Sequence, residues 1–388
     1  MKILYVSHNA QFYGAPKSLL EYIVKIKERG IEPIVVVPKR DRLKKELNKL
    51  GIRTEIIPYQ NSVYKGAYSF AHYLAYVNAN YPAVLRICKL IKKEKIDIVH
   101  TNTMAVNVGA LAAYLTRTPH IWHFREHLEE HFRLKLWNPF ITKKLIRYSR
   151  CCIAISEWIK RKYADRYGVH IIRLYNGIDQ NAYYHCIDPD ESGRKSNELL
   201  IAGRISEEKG QWDAVRAVEV LVNRGISVHL NVVGGGNTAW KNSIKRYIRD
   251  KGLTDYITIY PYTDDLQTMK INSRMILVCA RMEALGRVTV ETMLAGRIVI
   301  GADSGGTLEL IGKDEERGYL YQGGHPEKLA DKIQYVLENQ DEVLRKEREA
   351  QKFAIELTDL ERYTTSLIQI YRKLAKGKGR GVNDLWRK

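Results

Sequence analysis

Short apolar runs alternate with amphipathic, helix-like stretches along almost the entire chain. A regular alternation of strand and helix is typical of parallel β-sheets that carry helices on both faces. We therefore predict an α/β fold with two Rossmann-like doubly wound domains in series. The predicted strands are Lys2–Ser7, Pro33–Val37, Arg53–Ile57, Asp97–Thr101, His120–Phe124, Cys151–Ile155, His170–Leu174, Leu199–Gly203, Val228–Val233, Ile257–Tyr260, Met275–Cys279, Arg297–Gly301 and Tyr319–Tyr321.

A polar segment over residues 179–198 interrupts the alternation, and we interpret it as a linker between the domains. Two domains also suit the length, because 388 residues exceed what one ordinary core accommodates. The predicted organisation is a first domain 1–178, the linker 179–198, a second domain 199–358, a C-terminal helix 359–376 and a basic tail 377–388. The tyrosine-rich stretch Gln60–Pro82 has two open interpretations: a binding loop, or a helix with an aromatic stripe facing the core.

The positive charge is concentrated in the first half of the chain. Residues 1–180 hold 31 Lys+Arg against 14 Asp+Glu, whereas residues 181–388 hold 32 against 30. A basic half of this kind suits anionic lipid, nucleic acid or an acidic glycan. Its densest part, Arg133–Arg173, mixes cations with Trp and Tyr, which favours either a membrane-surface helix or a solvated basic helix face.

Composition excludes several classes of protein. No apolar run approaches the roughly 20 residues of a membrane-spanning helix, and Met1–Ser7 is typical of a first strand rather than of a signal peptide. The five cysteines are scattered without metal-binding spacing, so we expect free thiols. These features predict a cytoplasmic protein.

Two glutamates eight residues apart, Glu283 and Glu291, lie between two predicted strands. That arrangement places one carboxylate in a loop and the other in the following helix, so both can face a ligand at the helix N-terminus. Free N–H groups there favour an anion such as a phosphate. The pair suits a ligand that carries both hydroxyls and phosphate, such as a sugar nucleotide; the alternative is two solvated glutamates on a helix face.

Further segments follow other strands. Arg204 and Lys209, after the first strand of the second domain, can converge on one phosphate group, or they can be solvated loop cations. Glycines at strand ends allow close approach of the backbone to a ligand. The remaining segments are Asn9–Ala15 with Gly14, Asn176–Asp179, Val232–Gly236 with Gly234, and Ser304–Glu309.

Taken in order, these segments resemble the family-4 retaining glycosyltransferases of the GT-B architecture, most strongly over residues 199–311. The resemblance implies two Rossmann-like domains that face a central cleft, with the helix 359–376 crossing back to the first domain. It also implies that Arg204 and Lys209 bind the donor diphosphate and stabilise the departing charge. Glu283 would contact hydroxyls of the donor sugar, and Glu291 would contact the ribose. The other implied substrate-binding positions are Gly14, Asn176, Gly234, Ala284, Leu285, Gly286 and Arg287.

Two departures from the family pattern concern the first domain. The usual Gly-Gly-Ala loop is Tyr13-Gly14-Ala15 here, so only its second glycine is kept. The position of the family's catalytic histidine, counted from the preceding proline, is Arg125. His123 lies two residues earlier and on the same face of the strand. We favour His123 as the catalytic residue, with Arg125 as the alternative; the other interpretation of His123 is a strand histidine whose hydrogen bonds are satisfied within the fold. Glu126 is either an acceptor-side carboxylate or the salt-bridge partner of Arg125.

The implied reaction moves a sugar from a UDP- or GDP-linked donor to a glycan or lipid-linked acceptor, with retention and without a metal or other cofactor. The basic first domain suggests peripheral contact with an anionic bacterial membrane at its inner face, and a product such as capsule or lipopolysaccharide. Nucleic acid is not an expected partner. Three alternatives remain: a sugar-nucleotide epimerase, a glycogen or starch synthase, and a non-enzymatic basic binding protein.

Overall fold

The computed structural model describes residues 1–8, 14–128 and 134–377. The chain forms two compact units. The first unit combines residues 1–179 with the residues from 358 onward, and the second unit comprises residues 180–357. The last helix of the described chain therefore belongs to the first unit.

The first unit is built on a parallel sheet whose central strands are buried on both faces. Its spatial order is β3-β2-β1-β5-β6-β8-β9, and β4 pairs with β7 in a small antiparallel sheet. Its strands are β1 (Lys2–Val6), β2 (Glu32–Val37), β3 (Arg53–Ile56), β4 (Val63–Lys65), β5 (Ile98–Thr101), β6 (His120–Phe124), β7 (Leu134–Leu136), β8 (Cys151–Ala154) and β9 (Ile171–Arg173). Its helices are α1 (Ala15–Glu28), α2 (Arg42–Lys49), α3 (Phe70–Glu94), α4 (Val108–Thr116), α5 (Pro139–Tyr148), α6 (Glu157–Tyr167) and, after the second unit, α15 (Leu360–Lys376).

The second unit has a parallel sheet in the spatial order β12-β11-β10-β13-β14-β15. This is the Rossmann order, with a switch point between the first and fourth strands. The strands are β10 (Glu198–Ala202), β11 (His229–Val233), β12 (Ile257–Tyr260), β13 (Met275–Val278), β14 (Ile298–Ala302) and β15 (Tyr319–Tyr321). The helices are α7 (Ser192–Lys195), α8 (Gln211–Asn223), α9 (Thr238–Asp250), α10 (Leu266–Ile271), α11 (Arg287–Leu294), α12 (Gly305–Ile311), α13 (Pro326–Glu338) and α14 (Gln340–Leu357).

The prediction of two doubly wound parallel sheets is confirmed. Every strand predicted from the sequence is present, with ends that differ by at most one residue. Sequence reasoning missed β4 and β7, which are three-residue strands too short to show a period.

The segment predicted as a linker packs into the second unit. The buried Arg194 forms an ion pair with Glu347, and Arg297 forms one with Glu191. A side chain at Gly296 would meet Ile187, because a Cβ there would lie 2.6 Å from its Cγ1. Residues 180–198 are therefore part of the second unit rather than a free connection, and the boundary between the units falls at residue 179.

The stretch Gln60–Pro82 is partly strand and mostly helix. Ser69 caps α3 by accepting from the backbone N–H of His72, and the helix continues through Pro82 to Glu94. Trp137 stacks on Tyr64 and Tyr76, with ring centroids 4.3 and 5.9 Å apart. Within the described residues, no helix is both long and apolar enough to span a membrane. All five cysteines are free thiols, as expected.

Candidate functional site

Four loops of the second unit leave the same edge of its sheet. The carboxyl ends of parallel strands meet at one edge, and ligands of such sheets bind where the strand order reverses. β10 and β13 are neighbours across that point. The loop after β10 carries Arg204 and Lys209, and the loop after β13 carries Glu283, so the topology brings the two predicted motifs together.

The loop after β10 is held by a buried glutamine. Gln211 donates from Nε2 to the carbonyl of Arg204 at 3.0 Å and accepts from the backbone N–H of Ser206 at 3.3 Å. Gly210 has φ +66°, and a Cβ there would lie 2.2 Å from the carbonyl oxygen of Cys279. The loop is thereby fixed to the end of β13, with the side chain of Arg204 exposed.

Lys209 and Glu283 form an ion pair between the two loops. The Glu283 side chain is 17% exposed and the Lys209 side chain 28%, so both can reach a ligand at this edge. The residues predicted to bind phosphate and sugar thus touch each other, although 74 positions separate them in the chain. A cation and a carboxylate side by side can bind a ligand that has both anionic oxygens and hydroxyls.

Glu291 is more deeply buried than the sequence pattern suggests. It is 5% exposed, and its two oxygens accept from Lys270 Nζ and Arg287 Nε, each at 2.7 Å. Arg287 also donates to the hydroxyl of Tyr183 at 3.1 Å. A carboxylate has lone pairs for further donors, so a ribose hydroxyl remains compatible with this pairing. Lys270 and Tyr183 were missed, because neither lies in a recognisable motif.

The N-terminus of α11 is supported by the segment that follows β14. Gly286 caps α11 with φ +90°. The backbone N–H of Gly306 donates to the carbonyl of Glu283 at 2.8 Å, and a Cβ on Gly306 would lie 2.5 Å from Leu285 Cα. The Ser304–Glu309 segment therefore buttresses the loop that contains Glu283, Ala284 and Leu285.

Gly234 allows two strand-end loops to touch. It has φ +155°, and a Cβ would lie 1.9 Å from the carbonyl oxygen of Gly203. Gly236 forms a bridge with Ile205 two residues further on. The glycine-rich loop after β11 is thus packed against the loop that carries Arg204.

In the first unit, the corresponding switch point lies between β1 and β5. Gly14 caps α1 with φ +55°, and a Cβ there would meet nothing within 4 Å. Residues 9–13 of the predicted loop lie outside the described residues. Asn102, after β5, donates from Nδ2 to the carbonyl of Ala15 at 3.2 Å and so ties the two strand ends together.

Arg125 is 5% exposed and donates to side chains from several elements. Nε donates to Asn102 Oδ1 at 2.8 Å, Nη1 to Asn176 Oδ1 at 2.6 Å and Nη2 to the Tyr363 hydroxyl at 3.4 Å. Nη2 also lies 3.3 Å from Nδ1 of His123. The two predicted alternatives for the catalytic position therefore belong to one buried cluster, which also contains Asn176.

His123 is fully buried, and its Nε2 has no hydrogen-bond partner among the described residues. Burial and the adjacent Arg125 cation hold the pKa of His123 well below its usual range, so the ring is neutral. Burial raises the pKa of Glu126 to about 7, and its Oε2 accepts from the backbone N–H of Met104 at 3.3 Å. Because all three guanidinium nitrogens of Arg125 donate to other side chains, the geometry argues against Glu126 as the salt-bridge partner of Arg125.

Among the described residues, no group of three or more His, Cys, Asp or Glu side chains is placed to hold a metal ion. Within residues 133–173, Tyr163 and Tyr167 on α6 are buried, whereas Phe140 on α5 is 78% exposed. The membrane-surface helix and the solvated basic helix face both stay predictions.

Two family models match consecutive parts of the chain. The Glycosyltransferase Family 4 model matches residues 13–182, and the Glycosyl transferases group 1 model matches residues 188–353. D-inositol 3-phosphate glycosyltransferase of Paenarthrobacter aurescens is 28% identical over 143 residues, which cover 36% of this chain and 35% of that protein. Phosphatidyl-myo-inositol mannosyltransferase of Mycobacterium tuberculosis is 26% identical over 241 residues, which cover 59% and 61%. The matches thus span about a third and about three fifths of these relatives.

Solved structures match over nearly the full length. HepE of Anabaena, in complex with UDP and glucose, superimposes with a TM-score of 0.80 at 21% identity, covering 96% of this chain and 99% of that one. At this identity the likeness concerns the fold.

Proposed function

The chain belongs to glycosyltransferase family 4 and has the GT-B fold, and from this premise we propose that it is a retaining hexosyltransferase. The donor is a nucleotide-diphosphate sugar, UDP- or GDP-linked, and the acceptor is a glycan or a lipid-linked sugar. A UDP-linked donor has the additional support that Anabaena HepE, which shares the fold, was solved with UDP and glucose.

One observation carries the proposal: the ion pair between Lys209 and Glu283 at the switch point of the second sheet. Glu283 lies four residues before the first residue of α11, whose N–H groups favour an anion. A cation, a carboxylate and a helix N-terminus are thus available to one ligand. A nucleotide-diphosphate sugar has the phosphate and hydroxyl groups that match all three.

In the proposed mechanism, the chain stabilises charge on the departing diphosphate. The exposed guanidinium of Arg204, the Lys209 ammonium and the N–H groups of α11 would share that charge. Lys209 orients Glu283, whose carboxylate would accept hydrogen bonds from hydroxyls of the donor sugar. Glu291, held by Lys270 and Arg287, would accept from the ribose.

Retention would follow from attack on the face that the diphosphate leaves. The bond from the anomeric carbon to the phosphate oxygen breaks, the bond from the anomeric carbon to the acceptor oxygen forms, and the acceptor's proton passes to the leaving phosphate.

The cations Arg204 and Lys209 supply the positive charge, so we expect turnover without a divalent metal. Activity that survives chelation by EDTA is the corresponding measurement.

The acceptor would be a lipid-linked or membrane-anchored glycan at the inner face of a bacterial membrane, and the product a cell-surface polysaccharide such as capsule or lipopolysaccharide. Support comes from the excess of basic residues in the first 180 and from the outer face of α3. Phe70, Leu74, Val77, Tyr81 and Leu85 recur at helical spacing on that face, and all are exposed. Exposed Lys89, Lys92 and Lys93 follow them on the same helix. An apolar stripe continued by cations suits an anionic bilayer surface.

The donor site can be tested with the purified full chain and a panel of UDP- and GDP-sugars. We expect one donor to raise the melting temperature and to be slowly hydrolysed. Lys209→Ala and Glu283→Gln should each lower kcat/KM for that donor by about 100-fold or more, because each removes a transition-state contact. Lys245→Ala, which removes an exposed lysine on α9, is the matched control and should leave kcat/KM unchanged.

Two outcomes would overturn the proposal. If the donor sugar is converted to its epimer without any acceptor, the chain is a sugar-nucleotide epimerase. If no donor changes the melting temperature and the Lys209 and Glu283 variants match the control, the ion pair is structural and the chain is a binding protein.

A further inference from the structure

We propose that a hydrogen-bond chain anchored on α15 fixes the proton of His123 on Nε2, so that His123 acts as a hydrogen-bond donor to substrate and not as a general base. Arg125, His100 and Tyr371 are then positioning residues. The substrate role rests on the proposed glycosyl transfer, whereas the position of the proton does not.

Arg125 sets the direction of the hydrogen bonds in this series. A guanidinium can only donate hydrogen bonds, and its Nη2 lies 3.3 Å from His123 Nδ1. Nδ1 must therefore accept, and the neutral ring carries its proton on Nε2. Asn102 and Asn176 accept from the other two nitrogens of Arg125 and hold the guanidinium in place. In this arrangement Asn176 acts on the cluster rather than on the substrate.

The series of hydrogen bonds continues through His100 to α15. His100 Nε2 lies 3.3 Å from His123 Nδ1. Because this Nδ1 has no hydrogen to give, His100 must donate from Nε2, and its hydrogen shares the single lone pair of Nδ1 with the hydrogen of Arg125. The Nδ1 of His100 then accepts from the Tyr371 hydroxyl at 2.8 Å, and Tyr371 in turn accepts from the Tyr5 hydroxyl at 2.9 Å. Each bond in the series has one direction, and all four side chains are fully buried.

The series of hydrogen bonds leaves one N–H group, that of His123 Nε2, without an acceptor. His123 Nε2 has no hydrogen-bond partner among the described residues, and a buried N–H without an acceptor is destabilising. An oxygen of a bound ligand, either a hydroxyl or a phosphate oxygen, would satisfy it. Protonation of the ring would instead put a hydrogen on Nδ1, where Arg125 and His100 already point their own hydrogens.

The ionisable groups around the two rings reinforce this state. Burial, and to a smaller extent the Arg125 cation, lower the pKa of both His100 and His123. The phenols packed against the cluster remain protonated, because burial raises the pKa of each one. These phenols are Tyr5, Tyr22, Tyr363 and Tyr371.

Nitrogen NMR of the full chain with ¹⁵N-labelled histidine tests the proton position without any substrate. We expect His123, assigned by loss of its signals in His123→Gln, to keep a bare Nδ1 and a protonated Nε2 from pH 5 to pH 9. A proton on Nδ1, or titration of the ring within this range, would overturn the proposal. Because no nucleotide-sugar is present, this result is independent of whether the protein transfers sugar.

Measurements of kcat/KM then distinguish hydrogen-bond donation by His123 from general-base catalysis. The amide of Gln can donate from a position close to that of His Nε2 but cannot take up a proton. We expect His123→Gln to retain at least about a tenth of wild-type kcat/KM with an unchanged pH profile, and His123→Ala to lose about 100-fold. Equal losses in the two variants would contradict a donor role.

The link to α15 has its own matched pair of variants. Tyr371→Phe removes the hydroxyl that fixes His100, and we expect it to populate a second tautomer of His123 in the NMR spectra and to lower kcat by about tenfold. Tyr59→Phe removes another buried hydroxyl of the first unit, one that donates to the carbonyl of Ser7. This control should leave the His123 signals unchanged. Identical spectra for the two variants would show that Tyr371 does not influence the proton position of His123.

Discussion

Burial changes the acid–base chemistry of a single residue, Glu126. The carboxyl group lies just beyond β6, and its Oε1 has no hydrogen-bond partner among the described residues. Burial raises its pKa to about 7, against the opposing effects of Thr103, Met104 and Arg125. In this state Glu126 can exchange a proton near neutral pH.

This pKa predicts a pH-dependent effect of Glu126→Gln on stability. The folded protein holds the proton up to about pH 7, whereas the unfolded chain releases it near pH 4.5. The wild-type protein therefore loses stability as the pH rises through this window. Relative to wild type, Glu126→Gln should gain up to about 3 kcal/mol in the free energy of unfolding at pH 8 and little at pH 4.5.

Urea unfolding at the two pH values measures the difference. The control is Glu349→Gln, which changes an exposed glutamate on α14. If Glu126→Gln shifted the free energy of unfolding by the same amount at pH 4.5 and pH 8, the carboxyl would have an ordinary pKa.

At the same scale, sequence reasoning found the residues that lie within motifs. Arg204, Lys209 and Glu283 follow strands at positions that a parallel sheet must bring together, and the structure places them at one edge. Their functional roles remain predictions. Lys270, Tyr183, His100 and Tyr371 were not found, because each is a single residue whose partner lies far away in the chain. Only the packing of complete elements reveals such contacts.

The loops at the end of β10 and β11 show how one element constrains another. A Cβ on Gly234 would overlap the carbonyl oxygen of Gly203, whereas a Cβ on the neighbouring Gly235 would meet nothing within 4 Å. Gly234 also has φ +155°, a conformation that strains other residues. The two glycines provide a matched pair for substitution.

We expect Gly234→Ala to lower the free energy of unfolding by about 2–4 kcal/mol and to weaken donor binding, because the loop that carries Arg204 must move. Gly235→Ala should change the free energy of unfolding by less than about 1 kcal/mol. Thermal unfolding and titration with the preferred nucleotide-sugar measure both effects. Equal effects at the two positions would mean that the contact with Gly203 is not maintained.

Elements with a strong period could be predicted from the sequence, and elements without one could not. The buried strands appear as apolar runs because helices cover both faces of each sheet. The strands β4 and β7 have three residues each and depend on pairing with one another. For Gln60–Pro82 the sequence left open a binding loop or a helix, since α3 has apolar residues on its exposed face as well as on its buried face.

For the molecule as a whole, the basic first half and the outer face of α3 predict reversible binding to anionic bilayers. Vesicles of phosphatidylglycerol should bind the full chain, and binding should weaken as salt rises from about 0.05 M to about 0.5 M. Tyr81→Gln should weaken binding about tenfold, because it removes apolar surface from the contact. Tyr184→Gln alters an exposed tyrosine of the second unit and should have no effect.

Co-sedimentation with vesicles measures these changes. Binding that does not depend on salt would argue against anionic lipid as the partner. Equal loss in the Tyr81 and Tyr184 variants would argue against α3 as the contact surface.

The return of α15 to the first unit has a consequence for the order in which the protein is assembled. Tyr363, Leu367, Tyr371 and Leu374 complete the core of a unit that begins at Met1. During synthesis, the second unit leaves the ribosome as one uninterrupted segment and can fold at once, whereas the first unit must wait for the last helix. The first half of the chain to be translated is thus the last to reach its native packing, and until then its apolar surface is exposed to chaperones and to neighbouring nascent chains.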